Sequence, residues 1–183
     1  METVDLLTAI TNFGNELPGI YELLKFLTYA VALWYIAHGV LGMIENSKNP
    51  GNGRSGSGFG ILLVGALLLN FDNTMSVIFS SMSGHDGVSS MPGAGAASAI
   101  GYVPSGGVNF SAAIVAVMKF ITVVGVFSAF KGFMLWKRAS EGHHSAGGGE
   151  DHVWQGMTHI FFGALCINIT ETAQMFRSTI TGL

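Results

Sequence analysis

Residues 23–44, 59–82, 112–136 and 153–176 form four mostly apolar runs, and they account for about half of a 183-residue chain. A helix of about 20 apolar residues crosses the hydrocarbon of a bilayer. No water is available there, so each segment must satisfy its own backbone, and a run of this length and composition is required to be helical. With 10% charged residues, 49% hydrophobic residues and a mean hydropathy of +0.49, the chain belongs with membrane proteins rather than soluble domains. The expected fold class is an all-α membrane protein with four transmembrane helices.

The polar segment ENSKNPGNGRSGSG separates the first two runs and KRASEGHHSAGGGED the last two. Segments rich in Gly, Ser and Asn are turns, so each pair of runs reads as a helical hairpin. The expected organisation is an N-terminal segment over 1–22, a first hairpin over 23–82, a Gly/Ala/Ser-rich linker over 83–110 and a second hairpin over 111–183. The linker holds no Lys or Arg and has room for a short helix near 94–100. Val4, Leu7 and Ile10, with Leu6 and Phe13, fall near helical spacing, which suggests an amphipathic helix over 3–14 lying at the membrane surface. Glu2 and Asp5 stand where a cleavable leader carries basic residues, so no leader is expected.

The two hairpins share a pattern. GILLVGALLLN and HIFFGALCIN align Gly65, Ala66, Leu67 and Asn70 with Gly163, Ala164, Leu165 and Asn168 at an offset of 98, and the same offset pairs Gly58 with Gly156 and Thr74 with Thr172. Lys25-Phe26-Leu27-Thr28 recurs as Lys119-Phe120-Ile121-Thr122, and Gly39 recurs as Gly132. This is the signature of an internal repeat. Two spans per copy make it a parallel repeat, both copies entering the membrane in the same direction.

Lys48 and Arg54 in the first turn and Lys137 and Arg138 in the second place positive charge on one side, which the positive-inside rule assigns to the cytoplasm. Both termini then face outward. Charges within spans are costly and expected to pair, which suggests Lys25 with Asp72 and Lys119 with Glu171 in the outer leaflet. The competing reading has both lysines snorkel to the headgroups. Asn70 and Asn168, near mid-span, are expected to bond across helices, and Gly39, Gly65, Ser128, Gly132 and Gly163 to form small faces for packing or assembly.

Catalysis finds no support, because nucleophile elbow, phosphate loop and paired-acid patterns are missing from the sequence. His143, His144 and His152 beside Glu150 and Asp151 lack a metal-ligand spacing, Cys166 is a lone cysteine in an apolar run, and a net charge of -3 gives no basic surface for sequence-specific nucleic-acid binding. No cofactor is expected, although a structural phospholipid is compatible with this composition.

The stretch from Gly156 to Ile169, GMTHIFFGALCINI, resembles the IcmC/DotE family of small inner-membrane proteins of type IVB secretion, with its TraQ-like conjugative relatives. Phe162-Gly163 stands where that pattern would place two glycines. Architecturally, each hairpin is also similar to the pilin subunits of conjugative type IV systems. These resemblances imply a structural subunit of a secretion or DNA-transfer apparatus in the bacterial inner membrane. It would oligomerise with itself and with other secretion components, in contact with lipid, and form part of a pore or of an extracellular pilus. The alternative is a small transporter or channel acting alone.

Overall fold

The computed structural model describes residues 6–48, 57–87, 90–93, 96–99, 108–141 and 149–182. The described residues are helical, without strands: α1 (Leu6–Lys48), α2 (Ser57–Leu69), α3 (Phe71–Ser83), α4 (Ala96–Ala99), α5 (Val108–Ser140), α6 (Gly149–Ile167) and α7 (Ile169–Thr181). Arg54, His143 and His144 lie outside the described residues.

Helix α1 runs for 43 residues, about 64 Å at 1.5 Å per residue. The segment expected to lie separately at the membrane surface is therefore continuous with the first span. Pro18 sits inside this helix. It lacks an N–H, so the carbonyl of Gly14, four residues earlier, has no helical donor. Helix α5 runs for 33 residues beside α1 and parallel to it. Gly14 packs on Ala116, and the Lys137 ammonium lies 5.6 Å from the centroid of the Tyr35 ring, so facing residues differ by 102 in number at both levels.

Helix α2 returns along α1, and α6 returns along α5. Neither return helix continues straight through the span expected for it. The second run breaks at Asn70, where α2 and α3 meet at 91°, and the fourth breaks at Asn168. Among the described residues, α1 and α5 are the helices long and apolar enough to cross a membrane, with α2 and α3 making a third if the bent pair is one span.

The bend carries α3 from the first hairpin onto α6 of the second. Phe71, Met75 and Phe79 recur every fourth residue on α3 and are fully buried there, with Phe71 edge-on to Phe133 of α5 at 6.5 Å. Full burial of such side chains contributes about 1.5–3 kcal/mol each, which holds the two hairpins together. From the linker, α4 sets Ala96 and Ala97 against Val115 and Met118 of α5, with Ile169 of α7 alongside.

The interior is mainly apolar with a few polar residues, and large apolar side chains also cover the outside. Thr28, Thr122, Asn168 and Thr172 are buried, while Phe26 is 75% and Trp34 71% exposed on the outer face of α1. Such broad apolar exposure suits a surface that meets lipid or other helices.

Candidate functional site

Two short structures built from the shared sequence pattern organise the chain. The first is the bend. The N–H of Asn70 donates to Ala66 O and that of Thr74 to Asn70 O, so helical bonding enters and leaves the break through one residue. Between them, carbonyls at the end of α2 lose their helical partners. The Thr74 hydroxyl reaches back seven residues and donates to Leu67 O at 3.0 Å. At the second break, Asn168 N–H donates to Ala164 O, Thr172 N–H to Asn168 O, and the Thr172 hydroxyl to Leu165 O at 2.9 Å. Asn168 is fully buried and its amide donates to Ala164 O at 2.8 Å, whereas Asn70 is exposed. Both asparagines were expected to bond between helices. Asn168 instead bonds within its own helix, and both residues occupy the helix breaks, because Asn adopts non-helical backbone angles more readily than the apolar residues around it.

The second structure is the glycine contact within each hairpin. A Cβ on Gly39 would lie 2.7 Å from Leu62 N and 2.9 Å from Gly58 O, and one on Gly132 would lie 2.6 Å from Gly156 O and 3.0 Å from Ile160 N. Gly65 meets the backbone of Ala32 and Ile36 in the same way, and Gly163 that of Gly125 and Ala129. Only glycine permits backbones to approach this closely. These four glycines therefore close each hairpin on itself. Ser128 also faces the return helix, and its hydroxyl donates across the hairpin to His159 O at 3.0 Å. The Trp136 indole N–H also crosses, to Val153 O at 3.2 Å.

The four charges expected within spans divide. Lys25 Nζ lies 2.7 Å from Asp72 Oδ2, which also accepts from the Tyr29 hydroxyl at 3.4 Å, and the Lys25 ammonium sits 5.3 Å from the Tyr21 ring centroid. Lys119 does not reach Glu171. It donates instead to Gly14 O at 3.4 Å, the carbonyl that Pro18 leaves without a helical donor. The cause of the difference is register. At the offset of 98, the counterpart of Asp72 is Thr170, and Glu171, one residue further on, is turned by about 100° around the helix.

Lys119 also lines a cavity of about 300 Å³ between α1 and α5 with Thr11, Asn15 and Ser111. Lys48 ends α1, and Lys137 pairs with Glu141 beside Arg138 at the end of α5. The sequence reading passed over Lys131, an exposed cation inside α5, although a lysine within an apolar run is itself the signal. It also passed over the helix ends. Gly84 and Gly182 both adopt left-handed angles, φ 69° and 68°, and their N–H groups donate to Ser80 O and Ser178 O. Among the described residues, no cluster of His, Cys, Asp and Glu could hold a metal ion. Compared with family models, curated proteins and solved structures, the chain finds no match.

Proposed function

We propose that the chain is a tandem duplication of one helical hairpin and serves as a structural subunit of a type IVB secretion or conjugative transfer apparatus, oligomerising in the bacterial inner membrane. In this reading each copy supplies two spans, the second bent in the membrane. Both termini face outward, and the subunit enters a pore or a pilus. One observation carries the proposal: Gly39 on Gly58 and Gly132 on Gly156 make the same backbone contact in both hairpins. A rigid hairpin used twice, with apolar outer faces, suits assembly by repeated packing. The link to type IVB systems rests on the resemblance carried by Gly156 to Ile169.

The cavity beside Lys119 favours a second reading, a small transporter or channel, because a largely apolar pocket with a few polar groups between parallel helices could receive a solute. Extraction in mild detergent followed by sizing and electron microscopy separates the two. Large rings or filaments, together with loss of cell-to-cell transfer on deletion of the gene, are the expected result. A stable monomer that moves a solute in liposomes would overturn it.

A further inference from the structure

The break at Asn168 falls where the apolar surface of the molecule ends. From Leu23 to Ile44 the exposed face of α1 carries Leu23, Phe26, Trp34 and Leu41 and no exposed Asp, Glu, Lys or Arg, whereas Asn12, Asn15, Glu16 and Glu22 are exposed before it. That stretch rises about 32 Å, close to the thickness of bilayer hydrocarbon. Facing residues of α1 and α5 differ by 102, as Gly14 with Ala116 and Tyr35 with Lys137, so Gly125 lies level with Leu23. A Cβ on Gly125 would lie 2.9 Å from Ile167 N. Helix α6 therefore ends at the edge of the apolar belt, on the side opposite the basic ends of α1 and α5, and α7 begins there.

Helix α7 then leaves the bundle. Ile169 packs with Val115 and Met118 of α5, and Thr172 is buried, but every residue from Phe176 to Gly182 is exposed. The backbone angles at Asn168, φ −97° and ψ 44°, are close to the φ −107° and ψ 44° of Asn70, where the chain turns through 91°. Phe176 is 59% and Ile180 83% exposed, and with Ala173 they form one apolar face at helical spacing. At 100° per residue, Glu171, Gln174 and Ser178 fall on the opposite face and Arg177 falls at the boundary between the two.

We infer that α7 lies along the bilayer surface opposite the basic turns, with Phe176 and Ile180 among the acyl chains, Glu171, Gln174 and Ser178 toward water, and Arg177 at the depth of the lipid phosphates. A helix with one apolar face, a polar remainder and a basic flank binds at that depth. The partner is lipid rather than a second chain because a stable protein interface engages about 20–30 residues a side, whereas this face offers two large side chains and opens where the hydrocarbon ends. The inference rests on one part of the reading above, that α5 and α6 cross the bilayer, and is independent of assembly.

Nitroxide labels test it on the full chain in a Cys166→Ala background, reconstituted in vesicles of phosphatidylethanolamine and phosphatidylglycerol. Single cysteines replace Gln174, Phe176, Ser178 and Ile180, all exposed, so that the label disturbs no packing. Collision with oxygen, which concentrates in hydrocarbon, is compared with collision with a water-soluble nickel chelate present on both sides. The oxygen-to-chelate ratio should be severalfold higher at Phe176→Cys and Ile180→Cys than at Gln174→Cys and Ser178→Cys. Access of the chelate to all four would place α7 in water, a high ratio at all four would make it a continuation of the span, and shielding of Phe176→Cys and Ile180→Cys from both reagents would mean that protein covers the face; each overturns the inference. Phe127→Cys, on the exposed face of α5, serves as the control for the span. Ready access of the chelate there would overturn the crossing of the bilayer itself, and the inference with it.

Discussion

The Thr74 hydroxyl donates to Leu67 O across a 91° bend, and the Thr172 hydroxyl donates to Leu165 O across the second break. Each threonine satisfies a carbonyl that the broken helix exposes in an apolar setting. Thr74→Val and Thr172→Val keep the side-chain shape and remove the donor, so each should cost about 1 kcal/mol. Denaturant titration in micelles reads this directly. If both variants match the parent, the hydroxyls do not hold the bends.

The glycine contacts predict opposite signs at two kinds of site. A methyl group at Gly39 or Gly132 meets backbone atoms closer than 3.0 Å, and backbone cannot rotate away as a side chain would. Gly39→Ala and Gly132→Ala should therefore destabilise by about 1–3 kcal/mol, as overpacking does. Gly19 lies in α1 with nothing within 4 Å of an added Cβ. There Gly19→Ala should stabilise by about 0.5–1 kcal/mol, since alanine loses less backbone entropy in a helix. Equal effects at Gly19 and Gly132 would show that helix propensity, not close approach, governs these positions.

Much of this arrangement could be read from the amino acids, for reasons that also explain what could not. The helices followed from apolar run length, and the motif around Gly65 and Gly163 marked the places where the backbones touch. The same motif contained the helix breaks, since it aligns Asn70 with Asn168 and Thr74 with Thr172. Their role was not legible, because Asn in an apolar run serves equally well as a partner to another helix, and only the position of its neighbours in space decides. The continuity of α1 through Pro18 was hidden for a similar reason: the donor that compensates the proline, Lys119, is remote in sequence. Lys25 with Asp72 and Lys119 with Glu171 looked alike by depth, yet one residue of register separates a 2.7 Å ion pair from no pair.

That difference makes charge exchange informative. Lys25→Glu alone sets two acids together beside Tyr29 and should lower the yield of folded protein, as should Asp72→Lys. The double exchange restores opposite charges at the same depth and should recover most of the loss. Exchange of Lys119 and Glu171 should recover nothing, because these residues do not meet. Recovery there, measured as folded protein after gentle extraction, would place them together in the membrane.

The basic turns predict a direction of insertion. A cysteine at Ser47, exposed near the end of α1, should be shielded from an impermeant thiol reagent in intact spheroplasts carrying Cys166→Ala, whereas one at Thr179, exposed on α7, should react. Labelling of the Ser47 variant but not the Thr179 variant would reverse the orientation.

Lys119 and Pro18 should act as a unit. Proline removes the donor that Gly14 O would otherwise receive, and the ammonium of Lys119 supplies a replacement from α5 at 3.4 Å, so two helices are joined by a defect in one of them. Lys119→Met retains the length of the stem and removes the donor, leaving a carbonyl unsatisfied between packed helices. Bonds from charged donors contribute about 1.5–3 kcal/mol, and the length of this one places the expected loss near the lower end, about 1.5 kcal/mol. Pro18→Ala returns a backbone N–H to position 18, and the helix can then satisfy Gly14 O by itself. In that background Lys119→Met should cost less than half as much. The pair of substitutions thus forms a double-mutant cycle whose coupling measures the compensation. If Lys119→Met costs the same with either residue at position 18, the lysine supports the Lys119 cavity or the membrane interface and not the broken turn.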